Sequence, residues 1–353
     1  MMGSMGATSA AGGTTGVNAT DIDAVEAIMC RGGSALRARM ARTEQHLERV
    51  TAQAGEPLAS HATGTVLAGG KRLRPLLVVL AAESLGGPGA TEEAEDRLVR
   101  AAVAVELVHS ATLVHDDVID GAQLRRGHPS VAAAAGRNLA IATGDLLFSR
   151  AFAELARNGE VTQLRALSDA SSALAEGELL QREDAYARNV ALARYLRRCE
   201  LKTAALFEAA CRLGALVAAG GSPALAEELG AFARRIGLAF QLLDDVLDVS
   251  GPVERTGKAR GTDLLDGTVT LPFILARERD RELAEFDLSS LDGPEQAERL
   301  CERIAATGAL DEARERALAL VAEAKSGLPR CLPDSRDSAL LDLVADAVVE
   351  RYR

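Results

Sequence analysis

From residue 21 onward, apolar residues recur at intervals of three and four, and β-branched runs with period-two alternation are nearly absent. A chain patterned this way buries its apolar stripes by packing helix on helix. Ala, Leu, Arg and Glu dominate, and all four are good helix formers. The spacing predicts helices over 21–52 (one or two), 73–85, 90–116, 138–157, 163–181, 190–218, 223–249, 276–286, 294–306, 310–326 and 337–352. The helix over 73–85 is apolar nearly all round, so it should be buried. Gly-rich breaks fall at 69–70, 86–89, 220–221 and 251–267, none long enough for a domain linker. No repeat is visible. Residues 21–353 therefore read as one large all-α domain. Residues 1–20, rich in Gly, Ala, Ser and Thr, read as a disordered tail, with no secretory signal.

Composition removes several function classes. A net charge of −11 repels nucleic-acid phosphate, and 3% aromatic residues with no Trp leave little to stack on bases. Five Cys are scattered with no Cys-x-x-Cys, which reads as a reduced, cytoplasmic protein without a disulfide scaffold. Clean apolar stretches such as 76–82 are core-sized, short of the roughly 18 residues that signal a membrane span.

The chemistry is carried by two acidic blocks. His115-Asp116-Asp117-Val118-Ile119-Asp120 ends one apolar run, and Leu243-Asp244-Asp245-Val246-Leu247-Asp248 ends another. Asp116 and Asp120 are four apart and share a helix face, where like charges repel and need a cation. Both blocks share only carboxylate oxygen, which favours Mg²⁺ over zinc or iron; that ion takes one or two carboxylates plus substrate phosphates. A di-iron bundle needs two Glu-x-x-His pairs, and only Glu106 with His109 has that spacing. The cations gather elsewhere. Gly69-Gly70-Lys71-Arg72-Leu73-Arg74-Pro75 opens a helix, a setting suited to phosphate. Arg125-Arg126-Gly127 follows the first acidic block. Only four of the 40 basic residues are Lys, and three stand in such segments: Lys71, Lys202 and Lys258. An acidic protein that groups its cations this way points to small polyphosphates.

These motifs, in this order, resemble the trans-isoprenyl diphosphate synthases, or polyprenyl synthetases, and most closely those with long-chain products. The match runs over about 25–352 and includes Gly144-Asp145, Gly177 to Gln181, Lys202-Thr203, Gly257-Lys258 to Asp263 and Thr270-Leu271-Pro272. The resemblance implies an all-helical prenyltransferase bundle around a central cavity, usually a homodimer, with three Mg²⁺ ions. Asp116, Asp120 and Asp244 would be direct ligands, with Asp117, Asp245 and Asp248 direct or behind them. An allylic diphosphate ionises there, steadied by Arg125, Lys202 and Lys258, while Thr203 and Gln241 flank the cation. Gly70, Lys71, Arg74, His109 and Arg126 would hold isopentenyl diphosphate, whose double bond attacks. Many relatives carry Lys shortly before Thr-Leu-Pro; if Thr268 replaces it, one diphosphate contact is absent. The growing tail is expected beside Ala111, Val108, Leu107 and Ala104, with no aromatic from 101 to 116, so the product should exceed fifteen carbons. Phe148 and Phe152 are candidates for a floor, and a geranylgeranyl product is the alternative. A terpene cyclase would lack the Gly-Lys-x-x-Arg segment and the paired Arg, and a non-catalytic partner subunit would have lost its aspartates or arginines. No stable membrane insertion is expected.

Overall fold

The computed structural model describes residues 19–251, 260–332 and 335–350. In chain order the helices are α1 (Ala19–Arg31), α2 (Gly33–Ala52), α3 (Leu58–Leu67), α4 (Leu73–Glu83), α5 (Glu92–Asp120), α6 (Val131–Ala135), α7 (Arg137–Ala156), α8 (Val161–Asp184) and α9 (Leu192–Cys199). A π turn (Glu200–Ala204) leads into α10 (Ala205–Val217). After α11 (Pro223–Ser250) come α12 (Thr262–Leu265), α13 (Leu271–Arg279), α14 (Arg281–Glu285), α15 (Pro294–Ala306), α16 (Ala309–Cys331) and α17 (Ser335–Glu350). Among the described residues the one sheet is a hairpin of two-residue strands, β1 (Leu124–Arg125) and β2 (His128–Pro129).

Two long helices organise the molecule, and their start and stop signals are explicit. Thr91 caps α5: its backbone is extended and its hydroxyl oxygen accepts the Ala94 N–H at 3.2 Å, a contact worth about 1 kcal/mol. Glu92, Glu93 and Glu95 fill the first turn, at the positive end of the helix dipole. Gly121, left-handed at φ 65°, ends it. Ser222 caps α11 by accepting from Leu225 N at 3.2 Å, with Pro223 opening the first turn. Residues 101–108 of α5 are buried without a break, enclosed by α4, α7 and α10. This is the one helix among the described residues long and apolar enough to cross a bilayer, yet 72% of its most apolar window is buried inside the protein. α11 packs against α10 and α16.

The two acidic blocks thus emerge in the last turns of the two central helices. Neither last turn contains a basic residue. Carboxylates at the negative end of a helix dipole are unfavourable, by roughly 0.3–1 kcal/mol each, unless something cationic answers them.

Several elements differ from the expectation. The stretch read as a helix over 190–218 contains the π turn, centred on Lys202-Thr203; such turns are frequent at functional sites. Two glycines let neighbours press on it. A Cβ on Gly177 of α8 would stand 2.5 Å from the Lys202 backbone nitrogen, and one on Gly237 of α11 would stand 2.8 Å from Ala204 Cα. The helix expected over 276–286 is two, broken at Asp280, whose carboxylate accepts from Glu282 N and Leu283 N to cap α14. The hairpin, α3, α6 and α12 were not anticipated. The hairpin closes through Arg126 (φ 53°) and Gly127 (φ 81°), the paired positive angles of a tight two-residue turn.

Candidate active site

The ends of α5 and α11 face one cavity of about 270 Å³, closed on its other sides by α8, the π turn and the segment before α13. Asp116 and Asp120 line it from α5, Asp244 and Asp245 from α11, Lys202 and Thr203 from the π turn. Gln181, Gln241, Arg125, Arg198, Asp263 and Thr268 complete the polar wall. The cavity therefore gathers Asp116, Asp120, Asp244, Lys202, Thr203, Gln241 and Arg125, seven of the residues singled out in the sequence. Lys258 lies outside the described residues.

Within each block the three aspartates have separate surroundings. Burial raises the Asp116 carboxyl above its ordinary range, and Lys202 and Arg125 pull the other way. Asp117 is turned off this face; it is buried and accepts from Arg125 Nε at 2.9 Å, fixing the hairpin's guanidinium against α5. Asp120 is ion-paired with Arg182 of α8. In the second block Asp244 lines the cavity, whereas Asp245 is 3% exposed and already spent. It accepts from Tyr195 Oη at 2.7 Å, Gln241 Nε2 at 2.9 Å and Leu271 N at 3.3 Å. Asp248 accepts from Asp263 N at 3.3 Å.

That buried carboxylate sets the chemistry of the wall above it. Because Asp245 can only accept while ionised, the Gln241 amide must turn its NH₂ towards it. Gln241 Oε1 then receives the Thr203 hydroxyl at 2.7 Å. Thr203 has spent its proton, so its oxygen offers only lone pairs to its surroundings. Burial first, and Asp245 second, push the Tyr195 hydroxyl well above its usual range, so it stays a donor.

Next to this cavity lies a cationic cluster around the start of α4. Gly70 lies against the Arg126 guanidinium: a Cβ there would be 3.0 Å from Nη1. Lys71 follows Gly70 in this turn. Arg74 is pushed down to about 10 by burial, its Nε has no hydrogen-bond partner, and its guanidinium stands 5.0 Å over the Phe207 ring. Burial lowers Arg126 as well. Burial, then Arg74 and Arg126, hold the His109 imidazole well below its ordinary value. Among the carboxylates that answer them, Glu106 is 2% exposed and paired with Arg72 at 2.8 Å, and the more exposed Glu44 pairs with the same guanidinium at 2.6 Å. Several cations around one buried anion form an anion receptor. His109 stands seven residues before Asp116 on one face of α5, so receptor and cavity adjoin. A second cavity of about 410 Å³, between α3, α5 and the hairpin, has Asp117 in its wall and shares Arg125 with the first.

Sequence reasoning missed Glu106, Glu178, Arg182, Tyr195 and Arg198 as parts of these sites, and it placed Arg72 among the cations without its carboxylate partners. Glu106 left a usable signal: a carboxylate inside an apolar run requires a buried cation. Glu178 and Arg182 do pair at the local i,i+4 spacing, at 3.0 Å, but their links to Lys202 and Asp120 are tertiary contacts that spacing does not reveal. On the tail side, Ala104, Leu107, Val108 and Ala111 are fully buried. Phe148 packs on His115 with ring centroids 5.8 Å apart, bordering the α5 face that carries Ala111 four residues earlier.

As for divalent metal, no three His, Cys, Asp or Glu side chains among the described residues are preassembled around one point. Two oxygen-only grips facing across a polar cavity suit Mg²⁺, which takes few carboxylates and leaves positions for phosphate oxygens.

An all-helical bundle with two carboxylate pairs facing one cavity beside a cationic cluster has the chemistry to hold a polyphosphate through a divalent ion. The sequence pattern of the polyprenyl synthetase family matches residues 56–305. Heptaprenyl diphosphate synthase component 2 of Geobacillus stearothermophilus is 41% identical over 242 residues, 69% of this chain and 73% of that protein. Geranylgeranyl diphosphate synthase of Methanosarcina mazei is 38% identical over 289 residues, 80% of this chain and 86% of that protein. The crystal structure of a decaprenyl diphosphate synthase from Rhodobacter capsulatus superimposes with TM-score 0.81 at 31% identity, over 90% of this chain and 98% of that one. The chain belongs to the polyprenyl synthetase family and has the all-α prenyltransferase fold. It is a chain-elongating trans-prenyltransferase.

Proposed function

We propose that this enzyme condenses isopentenyl diphosphate with an allylic diphosphate to give a long all-trans polyprenyl diphosphate of the kind used for quinone side chains. The observation that carries the reading is the placement of Asp116, Asp120 and Asp244 on one cavity beside the Gly70–Arg126 anion receptor. The allylic diphosphate sits between the acidic grips. Asp116, Asp120 and Asp244 hold Mg²⁺, three ions in all, and bound metal supplies charge neutralisation to the departing pyrophosphate. Lys202, Arg125 and Lys258 steady the same group. Asp120 and Lys202 first exchange their present partners, Arg182 and Glu178. Thr203, held with its lone pairs outward, and the Gln241 amide offset the allylic cation. Gly70, Lys71, Arg74, His109 and Arg126 orient isopentenyl diphosphate for attack, and the released pyrophosphate takes the proton. The enzyme works as a soluble cytoplasmic homodimer that contacts membrane only in handing over product.

Product length rests on α5. Small and aliphatic residues at 104, 107, 108 and 111 leave its tail side without an aromatic stop. Relatives range from geranylgeranyl to decaprenyl synthases. The test supplies purified protein with Mg²⁺, isopentenyl diphosphate and, separately, geranyl, farnesyl or geranylgeranyl diphosphate, and sizes products by mass. Products of thirty or more carbons support the long-chain reading. A stop at twenty carbons replaces it with a geranylgeranyl synthase. No elongation by the folded protein alone overturns it in favour of a subunit that needs a partner, the arrangement suggested by the "component 2" name of the Geobacillus relative.

A further inference from the structure

Arg198 is a buried cation with an unusual setting. It lies on α9, is 3% exposed, and lines the same cavity as Asp244, Lys202 and Thr268. Three groups fix its guanidinium. Nη2 donates to the Val269 carbonyl at 2.6 Å, the Tyr195 ring lies 5.3 Å below, and Asp184 Oδ2 stands 3.6 Å from Nη1. That last separation is too long for a hydrogen bond, and Nη1 and Asp184 Oδ2 are both buried without one. Asp184 is already engaged at its other oxygen by Arg194 Nε at 2.5 Å. Arg198 is thus ion-paired with Asp184 but keeps a buried N–H without a hydrogen bond, a donor that an incoming anion can satisfy. Its charge already acts on Asp245 in the second acidic block. The hydrogen bond to Val269 ties it to the residue next to Thr268. Thr268 itself brings only a hydroxyl to this wall.

We propose that Arg198 is a further substrate-binding residue, a fixed guanidinium that attracts the allylic diphosphate from the Thr268 side of the cavity and supplies the positive charge Thr268 does not. The proposal rests on the reading of this cavity as the allylic site. The experiment compares full-length wild type, Arg198→Met, Thr268→Lys and the double variant. It measures KM for farnesyl diphosphate and for isopentenyl diphosphate, and calorimetric affinity for inorganic pyrophosphate at saturating Mg²⁺. Arg198→Met should raise the farnesyl KM and weaken pyrophosphate about tenfold, leaving the isopentenyl KM within about twofold, as loss of one charge-assisted contact implies. Lys at 268 in the Arg198→Met background should recover most of both losses, because a cation returns to the same wall. Equal losses for both substrates, or no recovery in the double variant, would overturn it and leave Arg198 as a brace for the 268–270 segment. If Arg198→Met does not fold, Arg198→Gln replaces it, with pyrophosphate affinity unchanged overturning the proposal. Wild type that binds no pyrophosphate and elongates no primer defeats the parent reading instead, a result separable from either.

Discussion

The two acidic blocks share one spacing and have been put to different uses. At the end of α5 the middle residue, Asp117, holds a charged partner from outside the helix, Arg125, and with it the hairpin. At the end of α11 the middle residue, Asp245, is sealed among Tyr195, Gln241 and the backbone of Leu271. The outer residues differ too: Asp120 pairs with Arg182 near the surface, with side chains 40% and 38% exposed, whereas Asp248 accepts a backbone N–H. Repeated sequence therefore marks where carboxylates emerge, and the neighbouring elements decide what each one does. The first block holds a guanidinium from the hairpin; the second orders a chain of hydrogen bonds through Gln241 to Thr203.

That contrast can be broken at several points. The largest effects should come from the residues the blocks have in common. Asp116→Ala and Asp244→Ala should each lower kcat/KM by about a thousandfold, about 4 kcal/mol, in steady-state assays with both substrates. Near-wild-type turnover in either would dissolve the equivalence. Asp245→Ala comes next and should show mainly in stability. It leaves the Tyr195 hydroxyl and the Gln241 amide unsatisfied, a loss of roughly 3 kcal/mol in urea unfolding. Asp117→Ala should instead keep most stability and raise KM for isopentenyl diphosphate about tenfold, or about 1.4 kcal/mol, by freeing Arg125 and the hairpin that carries Arg126. If the two substitutions behaved alike, the distinction between the blocks would be lost.

The smallest effect concerns pH. His109 titrates well below its ordinary value of 6.5 in the folded protein. Between those values the unfolded chain binds a proton that the folded one refuses, so stability rises with pH through that window and falls on acidification. From pH 7 to pH 6 the loss attributable to His109 is about 0.7 kcal/mol, and His109→Gln should remove that increment from the pH dependence of unfolding. Arg72, Arg74, Arg125 and Arg126 face this imidazole as cations, and Glu106 is the buried anion in the same cluster. A slope unchanged by the substitution would show that His109 titrates normally.

Much of this was legible in the sequence because it depends on local rules. Helical period and the acidic blocks closing apolar runs are short-range signals. What stayed hidden depended on approach between distant segments. Gly177 and Gly237 look like ordinary helix glycines until α8 and α11 are seen pressing on the π turn from two sides. Arg125 reads as one of a pair of phosphate-suited cations, and only the two-residue turn with positive φ shows it folded back onto Asp117. Asp245 reads as either a direct ligand or a residue behind one, because spacing cannot show that Tyr195, fifty residues earlier, holds it.

The central claim is that the two blocks act as one site across one cavity. Calorimetric titration of inorganic pyrophosphate into wild type, Asp116→Asn and Asp244→Asn, each with and without Mg²⁺, tests it most directly. The account predicts strong binding only in wild type with Mg²⁺, and loss on altering either block. Binding that is indifferent to Mg²⁺, or that survives the loss of one block, would contradict it.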